Sequence, residues 1–285
     1  MLAHLLEGKP LAEKLKIDLQ GQVAALRKKV SVPLALASIQ IEDNSAAQLY
    51  TSAQKRVAQE LGITYQPHLL PKAISEKKLC EFIEGLNRDT SVHGIIVQLP
   101  VPKHIDYTRV VGCIAVNKDV EGMHPANIGK IVLGQANIIP CTAAAVMELL
   151  AATGLSLYGK EVVIVGHSQI VGKPLSLLLL EKLATVTVCH IATSHAGHLE
   201  EHVKKAEVLI VAVGKHQLIK GKDIKKDAVV IDVGINRVEG KIVGDVEFDA
   251  AAARASWITP VPGGVGPLTV VMLMRNLITA VKLQL

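Results

Sequence analysis

Four polar stretches combine residue types that can hold or polarise a small molecule. They are Tyr50-Thr-Ser-Ala-Gln54-Lys55, Val97-Gln98-Leu99-Pro100, Lys118-Asp119-Val-Glu121-Gly122 and Pro260-Val-Pro262-Gly263-Gly264-Val265-Gly266-Pro267. Each ends an apolar run or opens a helical one, and ligands of open α/β sheets gather at the carboxyl ends of strands. By residue type alone, Gln98 is a polar strand end, Asp119 and Glu121 are turn and surface carboxylates, and Tyr50 is a half-buried helix residue. Pro260–Pro267 is different. Its glycines and prolines make a stiff frame whose backbone is open to close approach. A fifth stretch, Val162-Val-Ile-Val-Gly166-His167-Ser168-Gln-Ile-Val-Gly172-Lys-Pro174, reads as strand, glycine turn and helix. That arrangement leaves unpaired N–H groups at a helix N-terminus, where a phosphate can sit. It lacks the Gly-x-Gly-x-x-Gly spacing, so taken alone a plain βα unit is the better reading.

The elements that must position these residues follow from the apolar pattern. Leu11, Leu15, Leu19, Val23 and Leu26 recur at helical spacing and predict a helix over 10–29. Leu34–Ile41, Ile63–Leu70 and Gly94–Leu99 read as strands, with helices between them and an N-cap turn over Glu42–Ser45. A helix over 105–114 and a polar, irregular 117–125 follow. Past an alanine-rich helix ending near Thr153, strands at 162–165, 185–189, 208–213 and 229–233 alternate with helices at 170–180 and 199–205. Asn236–Gly244 reads as a hairpin and Leu268–Leu283 as a buried final helix, apolar nearly all round. Alternating β and α implies mostly parallel sheets, and the expected fold is α/β in two domains.

Composition narrows the class. Of 285 residues, 49% are hydrophobic but only 2% aromatic, so the core is aliphatic and base-stacking platforms are not expected. A net charge of +5 without basic blocks argues against a nucleic-acid partner. Cys80, Cys113, Cys141 and Cys189 are widely spread and form no C-x-x-C pair, so neither a metal site nor a disulfide framework is expected. The N-terminus has no signal-peptide pattern and no uninterrupted apolar run reaches a membrane span. The expectation is a cytoplasmic protein without a membrane partner.

Taken together, the motifs resemble the FolD-type methylenetetrahydrofolate dehydrogenase/cyclohydrolases over essentially the whole chain. They are Tyr50 with Gly62-Ile63, His93-Gly-Ile-Ile-Val-Gln-Leu-Pro100, Lys118–Gly122, Pro140-Cys-Thr142, Gly166–Pro174, Val230-Ile-Asp-Val-Gly-Ile-Asn236 and Thr259–Pro267. The resemblance implies a catalytic domain of residues 1–140 plus 268–285 and a Rossmann-like NAD(P)-binding domain of 141–267, with folate in a cleft between them. It implies Tyr50, Gln54, Gln98 and Glu121 as catalytic positions. Tyr50, Val97, Gln98, Leu99, Pro262, Gly263, Gly264, Val265 and Gly266 are the implied folate contacts. Gly166, His167, Ser168, Ile191 and Ile235 are the implied contacts to NADP or NAD. A homodimer is implied as well.

The departures from the family pattern shape the functional expectation. Gln54 stands where the family has lysine, four residues after the tyrosine. Glu121 replaces aspartate, Ala143 proline, His167 arginine and Ile191 serine. Lys55 adjoins Gln54, but one residue along a helix turns a side chain by about 100°. Hydride transfer from the folate methylene moves no proton and needs alignment and exclusion of water. Hydrolysis of the methenyl product needs a proton-exchanging group, which Gln54 is not. The expectation is a dehydrogenase whose cyclohydrolase step is weak or absent, accepting NAD at least as well as NADP. The alternatives are a fully bifunctional enzyme and a catalytically silent folate-binding or regulatory paralogue.

Overall fold

The computed structural model describes residues 2–42 and 45–285, without the side chains of 45–47; Asp43 and Asn44 of the N-cap turn expected over Glu42–Ser45 lie outside the described residues. In chain order the first elements are β1 (His4–Leu5), α1 (Gly8–Arg27), β2 (Ala35–Ile41), α2 (Ser45–Glu60), β3 (Thr64–Leu70), α3 (Glu76–Arg88), β4 (Gly94–Val97), α4 (Tyr107–Val111) and α5 (Pro125–Val132). Then come α6 (Cys141–Ala152), β5 (Glu161–Val165), α7 (Gly172–Leu180), β6 (Thr185–Cys189), α8 (Ile191–His195), α9 (Leu199–Lys205), β7 (Val208–Val211), β8 (Val229–Asp232), β9 (Asn236–Val238), β10 (Lys241–Val243), α10 (Phe248–Ala252), β11 (Trp257–Ile258) and α11 (Val265–Gln284). The chain forms two compact units, one of residues 13–141 with 270–285, the other of residues up to Ala12 with 142–269.

The first unit carries a parallel three-stranded sheet in the order β3-β2-β4. Ala37, Ile39 and Ile41 of β2 and Ile95 and Val97 of β4 pack on Leu79, Ile83 and Leu86 of α3. That helical spacing puts one apolar face on the sheet. Ser75 caps α3 by accepting from the Lys78 N–H at 3.3 Å. At its other end the buried Lys118 ammonium donates to the carbonyls of Leu86, Asn87 and Asp89 at 3.1, 2.8 and 2.8 Å. These are carbonyls a helix end leaves unpaired. α11 is long and apolar enough to cross a membrane by length and composition, yet most of it is buried inside the protein. Its Asn276 donates to the carbonyls of Val120 and Ile139 at 2.9 and 2.8 Å.

The second unit is built on a six-stranded parallel sheet in the order β1-β11-β8-β7-β5-β6. Its central strands β5, β7 and β8 are short β-branched runs buried on both faces, as the interior of a parallel sheet requires. β1 pairs with β11, which is why the first residues of the chain belong to this unit rather than to the domain that opens the sequence.

Several boundaries differ from the sequence reading. The helix expected over 170–180 begins at Gly172, because Val171 takes a non-helical φ of −125° as its N-cap. The helix expected over 105–114 covers only Tyr107–Val111, opened by the Asp106 carboxylate and stopped at Gly112. α5, α8, α10, β1 and β11 carried no recognised pattern. Cys80 and Cys113, expected to be unpaired, form a disulfide with Cα atoms 5.6 Å apart. The pairing is created by the packing of α3 on α4, which a separation of 33 residues in the sequence does not reveal.

Candidate functional site

In the first unit the predicted polar residues converge. Gln54 is fully buried on α2, while Lys55 points to solvent, as the helix geometry requires. Gln98 follows β4 at 3% exposure. Its Nε2 donates to Gln54 Oε1 at 2.8 Å and to Ser38 Oγ at 2.9 Å. The Tyr65 hydroxyl lies 2.8 Å from Ser38 Oγ and 3.1 Å from Gln54 Oε1. Ser38 and Tyr65 went unnoticed in the sequence, since a lone serine or tyrosine in an apolar strand has no local signature. Val97 is buried beside Gln98, and Leu99, 37% exposed, precedes the cis bond to Pro100.

Tyr50 and Glu121 belong to the same group. Burial raises the Tyr50 hydroxyl pKa well above its usual value, with the neighbouring Cys141 and Glu121 adding to the rise and a hydrogen bond with Gln54 opposing it. Glu121 accepts from the Tyr107 hydroxyl at 2.9 Å. Its carboxyl is pushed up to about 7 by burial, with the Asp119 charge adding to the rise and the Tyr107 bond opposing it. Asp119 is instead structural. Fully buried, it accepts from the N–H groups of Gly122 and His124 at 3.0 and 2.8 Å and from Asn127 Nδ2 at 2.9 Å. The two carboxylates read alike from the sequence thus have different work: Asp119 fixes the turn, and Glu121 is left able to exchange a proton near neutrality.

The second unit contains the glycine turn. Gly166 has φ +125°, and a Cβ there would lie 2.3 Å from the Ala212 carbonyl oxygen. A Cβ on Gly172 would lie 2.1 Å from the Gly166 carbonyl oxygen. Only glycine lets β5, β7 and the start of α7 approach this closely. Ser168 Oγ accepts from the Val171 N–H at 3.1 Å, tying the turn to α7. His167, Ser168, Ile191 and Ile235 are exposed, and the His167 and His190 rings lie 5.2 Å apart at the ends of β5 and β6. A backbone cradle at the N-terminus of a nine-residue helix, rimmed by exposed side chains, fits the pyrophosphate of a dinucleotide. Among the described residues no cluster of His, Cys, Asp or Glu could hold a metal.

Asp245 carries no signal in the sequence, and Asp232 enters it only within the Val230–Asn236 motif, without a role. Asp245 is fully buried and accepts from the N–H groups of Val213, Gly214 and Lys215 at 2.7, 2.9 and 2.7 Å and from Asn236 Nδ2 at 2.9 Å. It therefore holds the loops that follow β7 and β8. Asp232, raised to about 6 by burial, accepts from Gly234, Asp245 and Val246 N–H groups. The Pro262–Gly266 segment also lies here, opening with a cis Val261–Pro262 bond and running into α11. Part of its glycine content serves packing: a Cβ on Gly8 would lie 1.8 Å from the Gly264 carbonyl oxygen.

A parallel α/β unit with a glycine cradle at the first turn of α7, together with a second α/β unit holding a buried amide and carboxyl cluster, defines a two-domain dinucleotide-dependent enzyme. Family models agree on both parts. The tetrahydrofolate dehydrogenase/cyclohydrolase catalytic domain matches residues 6–121, and the NAD(P)-binding domain of the same family matches 140–285. The chain belongs to the tetrahydrofolate dehydrogenase/cyclohydrolase family. A bifunctional protein FolD of Acetivibrio thermocellus is 48% identical over 100% of this chain and 99% of its own. The FolD crystal structure from Campylobacter jejuni superposes with a TM-score of 0.95 at 42% identity, covering 99% of this chain and 100% of its own. The Trypanosoma brucei enzyme, solved with NADP and an inhibitor, gives 0.94 at 36% identity, covering 100% of this chain and 99% of its own. The cofactor is NADP or NAD, and the substrate class is tetrahydrofolate.

Proposed function

We propose that the protein oxidises 5,10-methylenetetrahydrofolate to 5,10-methenyltetrahydrofolate, and that its hydrolysis of the methenyl product is weak. The folate is assigned to the unit of residues 13–141 and 270–285, with Tyr50, Gln54, Val97, Gln98, Leu99 and Glu121 in contact with it. Pro262, Gly263, Gly264, Val265 and Gly266 are proposed as further folate contacts. Gly166, His167, Ser168, Ile191 and Ile235 hold the dinucleotide, whose nicotinamide supplies the hydride acceptor when bound. The enzyme acts as a cytoplasmic homodimer.

The observation that carries this reading is the fully buried Gln54 amide, hydrogen-bonded to Gln98 where the family pattern has lysine. An amide can align the folate ring through hydrogen bonds, which suffices for hydride transfer. It does not titrate in the working range, so it cannot relay the proton that water must lose on attacking the methenyl carbon. Such proton relay contributes about 10²–10⁴-fold. The test is methenyltetrahydrofolate decay with wild type and with Gln54→Lys. Wild type should stay near the spontaneous rate and the lysine variant should exceed it clearly. Robust wild-type hydrolysis unchanged by the substitution would defeat the proposal.

The fully bifunctional alternative has its own observation. Glu121, at about 7 and hydrogen-bonded to Tyr107, is a proton-exchanging group beside Tyr50. If it takes the lysine's role, wild-type hydrolysis persists and Glu121→Gln removes it. A silent paralogue would show neither reaction. For the dinucleotide, exposed His167 and Ile191 supply neither the fixed cation nor the hydroxyl that a ribose 2′-phosphate favours. Steady-state kcat/KM should be at least as high for NAD as for NADP at neutral pH.

A further inference from the structure

We propose that Tyr65 is a positioning residue for the folate site, holding the Gln54 and Gln98 amides in register so that they present themselves to the substrate as one unit. The proposal rests on the functional reading above but concerns a residue outside the motifs that carry it.

A hydroxyl has one proton to give and also accepts; a primary amide has two N–H donors on one side and a carbonyl acceptor on the other. Gln98 Nε2 directs its donors at Gln54 Oε1 and Ser38 Oγ, 2.8 and 2.9 Å away. The Ser38 proton is then free for the Tyr65 oxygen at 2.8 Å, and the Tyr65 proton for Gln54 Oε1 at 3.1 Å. The circuit of two amides and two hydroxyls closes. Turning one amide alone would set NH₂ against NH₂ or carbonyl against carbonyl, so the two can only turn together.

The groups left over are those that matter for a ligand. Gln54 Nε2 and Gln98 Oε1 are 3.5 Å apart, at the outer limit of a hydrogen bond, and Gln54 also bonds the Tyr50 hydroxyl. Tyr65 is thus a brace. It links Gln54 on α2 to Ser38 on β2 from its own place on β3, and the register of β2 and β3 sets Leu36 opposite Tyr65. Without the phenol, Gln54 would keep Gln98 as its partner inside the circuit, but Gln54 and Ser38 would no longer be connected except through that amide. The contact that Tyr65 makes by donating to the carbonyl of residue 54 is one that an amide offers and a lysine does not.

The test is a double-mutant cycle on dehydrogenase kinetics, with Tyr65→Phe, Gln54→Leu and the double variant. Tyr65→Phe should lower kcat/KM for 5,10-methylenetetrahydrofolate about fivefold, the scale of one hydrogen bond. KM for the dinucleotide should not move. In the Gln54→Leu background the same substitution should have no effect, because the group it braces is gone. Ser38→Ala, which breaks the circuit while leaving the ring in place, should reproduce the effect and its dependence on Gln54, and it decides the matter if Tyr65→Phe does not fold. Unchanged kinetics in Tyr65→Phe, or an equal loss in the Gln54→Leu background, would overturn the proposal. A wild type that oxidises no methylenetetrahydrofolate would defeat the functional reading alone. The cycle would then be read as tetrahydrofolate affinity by calorimetry, where the same coupling supports the brace and its absence overturns it.

Discussion

At the scale of single residues, Glu121 couples the site to pH. Its ordinary pKa of about 4.3 in an unfolded chain rises to about 7 in the fold. The folded protein therefore holds this proton more tightly than the unfolded one. The associated stability is complete below about pH 4.3 and is lost as pH rises through about 7, where the buried charge costs up to roughly 4 kcal/mol. Glu121→Gln carries no charge to bury. Urea unfolding at pH 5 and pH 8 should show the variant gaining on the wild type at the higher pH; parallel profiles would mean that the carboxyl titrates normally. The same residue shows why residue type alone was insufficient. Asp119 and Glu121 are two positions apart, yet backbone N–H groups keep Asp119 as a turn carboxylate, whereas Glu121 meets a phenol.

At the scale of elements, the strands of the dinucleotide unit are determined by short apolar runs, but the loops at their ends are not. Those loops are held by Asp245, which accepts three backbone N–H bonds from Val213–Lys215 and a fourth from Asn236. An asparagine would keep one acceptor oxygen and turn an NH₂ against backbone N–H groups. Charge-assisted bonds are about twice as strong as neutral ones, and breaking a buried charged network costs about 3–5 kcal/mol. Asp245→Asn should lower the free energy of unfolding in urea by that order and weaken NAD(P) binding measured by calorimetry. A variant with wild-type stability would show that the loops hold without the carboxylate.

At the scale of the whole molecule, the disulfide between Cys80 and Cys113 closes a span of 33 residues of the folate unit. A loop of that size restricts the unfolded chain by about 3–4 kcal/mol in the chain-entropy account. Cys80→Ser, or full reduction of the wild type, should lower Tm, and reduction should have no effect on the variant. Intact mass before and after alkylation reports whether the bond is present. The final helix is the other long-range tie. Asn276 binds the backbone at Val120 and Ile139, so the last segment of the chain buttresses the turn that carries Glu121.

The sequence by itself determined the alternation of strands and helices, the glycine turn at Gly166, the two-sided burial of the β-branched strands and the presence of an amide at position 54. Those features are local: they rest on residue type and on periods of two or 3.6 residues, which a chain displays without being folded. Elements of two to five residues, such as β1, β11, α8 and α10, are too short to show a period and exist through their neighbours. The rest was decided by tertiary structure. Ser38 and Gln98 are 60 residues apart and Gln54 and Gln98 are 44 apart, yet they share hydrogen bonds. Gly8 lies ahead of the helix predicted over 10–29 and carries no signal there, yet the close approach of the Gly264 carbonyl requires a glycine. Cys80 meets Cys113 because α3 packs on α4. A buried polar group must find a partner, and only the packing of the folded chain chooses which one.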